Sequence, residues 1–130
     1  DLIGRWGDYV SFLVSRQRRE EIMELVNNEL NAVDLYGDEI VYGMVDKENK
    51  LSSVAIVDPH PVLLQISRIW TRKDLRRKGL AGRLLEEILK YERKSKRDLR
   101  FSSPTDAGYS FAKSFIAGGD GGEVQVYKDR

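Results

Sequence analysis

The chain contains no cysteine and a single histidine, His60. That excludes disulfides, thiolate nucleophiles and cysteine-based zinc sites together, and one imidazole cannot build a metal site unaided. No apolar run approaches the roughly 20 residues that a membrane span needs, and the N-terminus lacks a signal-peptide pattern, so a soluble domain is expected. Net charge is nearly absent too, because 22 Lys and Arg oppose 21 Asp and Glu. With no global field to draw the protein onto nucleic acid or an anionic membrane, any anion site must be local. Neither an internal repeat nor a low-complexity tract divides the 130 residues, which are expected to form one domain over 1–130. Opening on Asp1 rather than methionine, the chain is expected to be a trimmed or processed piece.

Apolar periodicity orders what is there. "DYVSFLV" (8–14) alternates as a strand, and "QRREEIMELVNNELN" (17–31) carries Ile22, Val26 and Leu30 at helical spacing with Met23 beside them. Beyond the polar "AVDLYGDE", the runs "IVYGMVD" and "LSSVAIV" flank "KENK", where Asn49 suits a hairpin reversal. "VLLQISRIWT" (62–71), entered through "DPHP", has apolar residues on both alternating faces and is expected at the centre of the sheet. The strongest helix signal is in "RRKGLAGRLLEEILKYER" (76–93), with Leu80, Leu84 and Ile88 on one face. "LRFSS" is a short strand, "PTDAGYSFAKSFIA" a second clear helix, "GGDGG" a loop, and "EVQVYK" a closing strand with Val124 and Val126 on one face. The predicted order is β, α, β, β, β, α, β, α, β.

The start of that strongest helix is chemically unusual. "RRKGLAG" combines three cations with the small residues Gly79, Ala81 and Gly82. A helix start has unpaired N–H groups and a positive dipole end, so it suits a pyrophosphate; the plainer reading is a solvated basic turn. The pattern is neither a dinucleotide-binding fingerprint nor a P-loop. Arg76, Gly79 and Ala81 instead follow arginine, two residues, glycine, one residue, then Gly or Ala, which is the acetyl-CoA pyrophosphate motif of the GNAT N-acetyltransferases. The element order is similar to theirs as well.

The likeness narrows further. "ISRIW", "RRKGLAGRLL", "FSSPTDAGYSFAKSF" and the terminal "VQVYK", together with "IMELVNNEL", resemble the sister-chromatid cohesion acetyltransferases, which acetylate the SMC subunit of cohesin. The resemblance implies a GNAT fold, α+β or α/β in class: a mixed, mostly antiparallel sheet with helices on both faces, splayed after "ISRIW". It implies acetyl-CoA as substrate, a protein lysine as acceptor, direct transfer in a ternary complex and a nuclear setting, otherwise cytoplasmic, with no direct nucleic-acid contact. The backbone of Ile69, Trp70 and Thr71 would pair with the pantetheine arm. Arg76, Arg77, Lys78, Gly79, Leu80, Ala81 and Gly82 would hold the pyrophosphate, and Ser103, Thr105, Asp106, Ala107 and Phe111 would line the cofactor toward its thioester.

For the reaction itself the resemblance points to Ser67 as a relay, its other reading being a serine hydrogen-bonded inside a strand, and to Glu86 as a base that partial burial would favour, its other reading being a plain surface residue of the helix. In vertebrate members a further aspartate lies between the Ser and Pro of "FS-x-PT"; here that position is Ser103, and Asp106 is the substitute, with helix capping as its other role. Phe111 stands where many GNAT enzymes have a proton-donating tyrosine. Arg68, among apolar strand neighbours, is expected to have a carboxylate partner or to face the site. The tract Arg93, Lys94, Lys96, Arg97 and Arg100 could reach the 3′-phosphate of CoA or an acidic partner, or simply be a solvated helix end, and His60 is expected in a loop. Within these 130 residues two features of the cohesion enzymes are not found: the long segment before "ISRIW", which is short here ("DPHPVLL"), and a Cys/His zinc finger. The alternatives are an N-acetyltransferase for a small-molecule amine or another protein, and a non-catalytic acyl-CoA-binding module.

Overall fold

A computed structural model describes residues 1–30, 38–76, 78–102, 106–117 and 124–127. In chain order it has strands β1 (Leu2–Trp6) and β2 (Tyr9–Leu13), helix α1 (Arg16–Leu30), and strands β3 (Ile40–Val45), β4 (Leu51–Asp58) and β5 (Leu64–Thr71). Helix α2 (Leu80–Glu92), strand β6 (Leu99–Ser102), helix α3 (Asp106–Ala117) and strand β7 (Val126–Tyr127) complete it. All seven strands lie side by side in chain order. Pairing is antiparallel from β1 to β5 and parallel from β5 to β7. This is the expected mixed, mostly antiparallel sheet, and helices cover both of its faces. No helix among the described residues is long and apolar enough to cross a membrane.

Alternation decides which side chains meet which helix. One face of the sheet presents Val41, Val54, Ile56 and Trp70 to Ile22, Met23 and Val26 of α1. The other presents Tyr42, Met44, Ala55, Val57, Leu64 and Ile66 to the Leu80, Leu84, Leu85 and Ile88 stripe of α2 and to Ala112, Phe115 and Ile116 of α3. The hairpin at "KENK" forms as read: Asp46 Oδ1 accepts the amides of Glu48 and Lys50 at 2.9 and 3.0 Å, and Asn49 takes a positive φ of 65°.

Three expectations need correction. Strand β1 was not anticipated; Gly7, at φ 59°, turns the chain in two residues between the paired Trp6 and Tyr9, and the Gly-Asp pair between two strand-like runs was the available signal. The most enclosed strand is β4, buried from Ser52 to Asp58, rather than β5. The reason is that β6 pairs with β5 only through Leu64, Gln65 and Ile66, so the second half of β5 has β4 on one side and no strand among the described residues on the other. At the C-terminal end Val124 packs on the core while Val126 is exposed, and Tyr127 points inward to donate its hydroxyl to Asp58 Oδ2 at 2.6 Å. The "GGDGG" loop lies outside the described residues.

Tyr42 is fully enclosed, and burial pushes its phenol well above the ordinary tyrosine range, with Glu92 and Tyr91 adding to the effect. A raised folded pKa means that the contribution is intact below the unfolded value near pH 10 and is lost as pH rises above it. The unfolding free energy of the native protein should therefore fall above about pH 10 more steeply than that of Tyr42→Phe. Denaturant melts between pH 8 and 11 check this; parallel curves would remove Tyr42 from the alkaline limb.

Candidate active site

The site grows out of an irregularity in β5. Ile56 pairs with Arg68 but Val57 pairs with Ile66, so Ser67 is an extra residue bulged out of the ladder. A bulge bends and twists its strand. Here it falls at the position where β6 stops following β5, and the two strands part from Ser67 onward. Ser102, the last residue of β6, spans the opening by donating its hydroxyl to the Ser67 carbonyl at 2.8 Å.

Around the bulge stands a polar cluster on the α1 face of the sheet. Glu39, just before β3, is almost wholly buried. Its Oε2 accepts the Ser67 hydroxyl at 3.2 Å and lies 3.8 Å from the Arg68 guanidinium. Arg68 thus has the carboxylate partner that its apolar neighbours required. Since Ile40 stands opposite Val57, the next positions outward are Glu39 and Asp58, and the buried Asp58 takes the Tyr127 hydroxyl. Two buried carboxylates, one guanidinium and three hydroxyls therefore collect where the sheet opens. Ser67 and Arg68 stand out in the sequence, whereas Glu39, Asp58, Ser102 and Tyr127 lie on four other segments and carry no local signal.

Below the opening is the start of α2. Gly79 caps it at φ 80°, a left-handed conformation that strains any residue with a Cβ, and a glycine cap has no side chain to occupy the first N–H groups. A Cβ at Gly79 would meet nothing within 4 Å, so the space in front of the helix is open. Arg76 lies alongside, its Nε donating to the Thr71 carbonyl at 3.1 Å, and Lys78 is exposed. Cations, open space and uncapped amides fit a pyrophosphate at the place the motif indicated.

The remaining expected residues divide. Trp70 is buried against α1, while its carbonyl accepts the Ser53 hydroxyl at 2.9 Å. Phe111 stacks on Phe115 with centroids 6.1 Å apart, and packs on the core rather than presenting a proton donor. Asp106 and Ala107 open α3. Arg77, Ser103 and Thr105 lie outside the described residues. Glu86 is not partly buried as the base reading supposed: its side chain is 47% exposed and lies 3.5 Å from Arg83. The buried glutamate of α2 is its neighbour Glu87, which holds Arg83 at 2.7 Å and fills the space beside Gly4. Of the cations at 93–100, Lys94 bonds the Val62 carbonyl, Lys96 the Phe115 carbonyl and Arg100 the carbonyls of Arg97 and Leu99. His60 is a loop residue whose Nδ1 accepts the amides of Val62 and Leu63.

Comparison with known proteins shows the family. The model of the ESCO1/2 acetyl-transferase family matches residues 60–127, which span β5, α2, β6 and α3 and more than half of the chain. The chain belongs to the ESCO1/2 acetyltransferase family. As a member it is an acetyltransferase that uses acetyl-CoA. Among solved structures, the xEco2 acetyltransferase domain bound to a lysine–CoA conjugate superposes with a TM-score of 0.82 at 23% identity, covering 99% of this chain and 98% of that one. A ribosomal-protein-alanine N-acetyltransferase from Brucella melitensis biovar Abortus 2308 has the same fold more distantly, with a TM-score of 0.64 at 18% identity over 94% of this chain and 98% of that one. The aminoglycoside 6′-N-acetyltransferase AAC(6′)-Ih from Acinetobacter baumannii follows at 0.56 and 12%, over 94% and 97%. No curated protein sequence matches.

Proposed function

We propose that this ESCO1/2-family domain acetylates a lysine of the SMC subunit of cohesin, in the nucleus, by direct transfer from acetyl-CoA. The observation that carries the reading is the bulge at Ser67, which opens the sheet between the uncapped start of α2 and a buried acidic cluster. One side suits a pyrophosphate and the other suits an ammonium. The lysine–CoA conjugate held by the similar xEco2 domain supports a lysine as acceptor.

In this mechanism Arg76, Arg77, Lys78 and the amides from Leu80 to Gly82 hold the pyrophosphate, and the β5 backbone from Ile69 to Thr71 receives the pantetheine arm as an added strand. A backbone N–H there polarises the thioester carbonyl. Ser103, Thr105, Asp106 and Ala107 line the thioester end. The acceptor lysine, with a pKa of about 10.4, is deprotonated in only about one molecule in 2,500 at pH 7, a cost of roughly 4–5 kcal/mol unless the site removes the proton. Ser67 relays that proton, giving up its own as it takes one from the ammonium. The chain has no cysteine to carry an acetyl group, so the amine attacks the thioester itself. The departing thiolate needs little assistance, in keeping with a phenylalanine at position 111.

Mass spectrometry of an SMC head fragment after incubation with the domain and acetyl-CoA tests this reading. Acetylated lysine on the fragment is expected; an unmodified fragment alongside rapid acetylation of a free polyamine would transfer the site to small amines. Ser67→Ala should lower kcat by about 30-fold or more with little change in acetyl-CoA affinity. Glu86→Gln, which alters a half-exposed group, should cost less than Ser67→Ala. The reverse ranking in steady-state assays would return the leading role to Glu86.

A further inference from the structure

We propose that Glu39 is the group that finally accepts the lysine proton, acting through the hydroxyl of Ser67. This rests on the reading that Ser67 meets the incoming amine. Ser67 alone is a poor base, and the exposed Glu86 is occupied by Arg83. Glu39 supplies what is missing: a buried carboxylate whose Oε2 accepts the Ser67 hydroxyl proton at 3.2 Å. That bond turns the Ser67 lone pairs away from Glu39, where they can take a proton from another donor.

The proton balance closes within the site. The ammonium gives one proton to Ser67 Oγ as the Ser67 proton passes to Glu39. The freed nitrogen forms the C–N bond to the acetyl carbon, and the C–S bond breaks with its electron pair on sulfur. A second nitrogen proton ends on that sulfur, the third stays as the amide N–H, and Glu39 returns its proton to solvent.

The surroundings explain why the carboxylate is held there. Arg68 of β5 stands 3.8 Å away. Asp58 of β4 lies at the neighbouring position with Tyr127 of β7 bonded to it, and α1 lays Ile22, Met23 and Val26 against the same face of the sheet. Arg68 keeps the buried charge compensated while Ser67 carries the proton traffic. Because Glu39 acts through Ser67, it is a positioning and proton-accepting residue rather than one that touches the substrate.

The test uses the whole domain, acetyl-CoA and two amines, an SMC head fragment and concentrated Nα-acetyl-lysine amide, with turnover followed from pH 6.5 to 9.5. Glu39→Gln preserves the volume and the acceptor oxygen. Its kcat should be about 30- to 100-fold below wild type at pH 7, and the gap should narrow to less than about 5-fold at pH 9.5, where the free amine becomes plentiful. Adding Glu39→Gln to Ser67→Ala should cost nothing more, since both serve one relay. A loss that is the same at both pH values, or multiplicative losses in the double variant, would overturn the inference. Should the variant not fold, the wild-type profile decides: levelling by about pH 8 supports an acceptor in the site, and unit slope to pH 9.5 excludes one. A native protein that acetylates neither amine overturns the functional reading and this inference with it, whereas native turnover with an indifferent variant overturns the inference alone.

Discussion

Gly82→Asp should weaken acetyl-CoA binding by about 2–3 kcal/mol, roughly 30- to 150-fold, while leaving the fold intact. The substitution sets a carboxylate in the first turn of α2, beside the amides that would meet the pyrophosphate, and like charges there repel. Folding is not expected to suffer. A Cβ at Gly82 would lie 3.6 Å from Phe115 Cδ1, an ordinary van der Waals contact, and an acidic group in the first turn of a helix is favourable by about 0.3–1 kcal/mol. Gly82→Ala adds the same Cβ without the charge and should bind acetyl-CoA nearly as well as the native protein. Calorimetric titration of both variants, with thermal melts of the apo forms, separates charge from volume. Unchanged affinity in Gly82→Asp would move the phosphate site away from α2, and equal losses in both variants would assign the effect to packing.

The difference between the two halves of the site explains what could be read in advance. The phosphate half is local: Arg76, Gly79, Ala81 and Gly82 lie within one turn and its approach, and their chemistry comes from the backbone of that segment. Spacing along the chain is then the same information as geometry. The acidic half is not local. Glu39 precedes β3, Ser67 interrupts β5, Asp58 ends β4 and Tyr127 lies in β7, and they meet only because the ladder registers place them together. Nothing in "GDEIVY" marks Glu39 as more than a polar residue before a strand. Even Arg68 shows the limit: its apolar neighbours required a partner, but the identity of that partner depended on pairing through β4.

Glu86 and Glu87 differ for a similar reason. Both sit in "LLEEIL", and the apolar stripe defined by Leu80, Leu84 and Ile88 faces the sheet. Helical periodicity leaves Glu86 half-exposed, whereas Glu87 is covered by the approach of β1, a strand that the sequence reading did not contain. Which of the two carboxylates is enclosed therefore depends on β1 as well as on the periodicity of α2.

Leu84→Ala should destabilise the domain by about 3–4 kcal/mol and lower Tm by roughly 10–15 °C. Leu84 is fully buried in the cluster where α2 meets the sheet and α3, so truncation removes apolar contact and leaves a cavity between elements that cannot close together freely. Leu25→Ala, on an exposed position of α1, should change stability by no more than about 0.5 kcal/mol and is the matched control. The stripe that anchors α2 also aims its first turn at the cleft, which links packing to function. Because Leu84 lies one turn beyond the N–H groups that would meet the pyrophosphate, acetyl-CoA at 100 times its Kd should still add about 2.7 kcal/mol to the variant, as it does for any site that survives intact. Thermal melts with and without acetyl-CoA read both quantities. A loss below about 1 kcal/mol would mean that α2 does not pack through this stripe, whereas a full loss with no rescue by acetyl-CoA would mean that the first turn forms only when Leu84 holds the helix against the sheet.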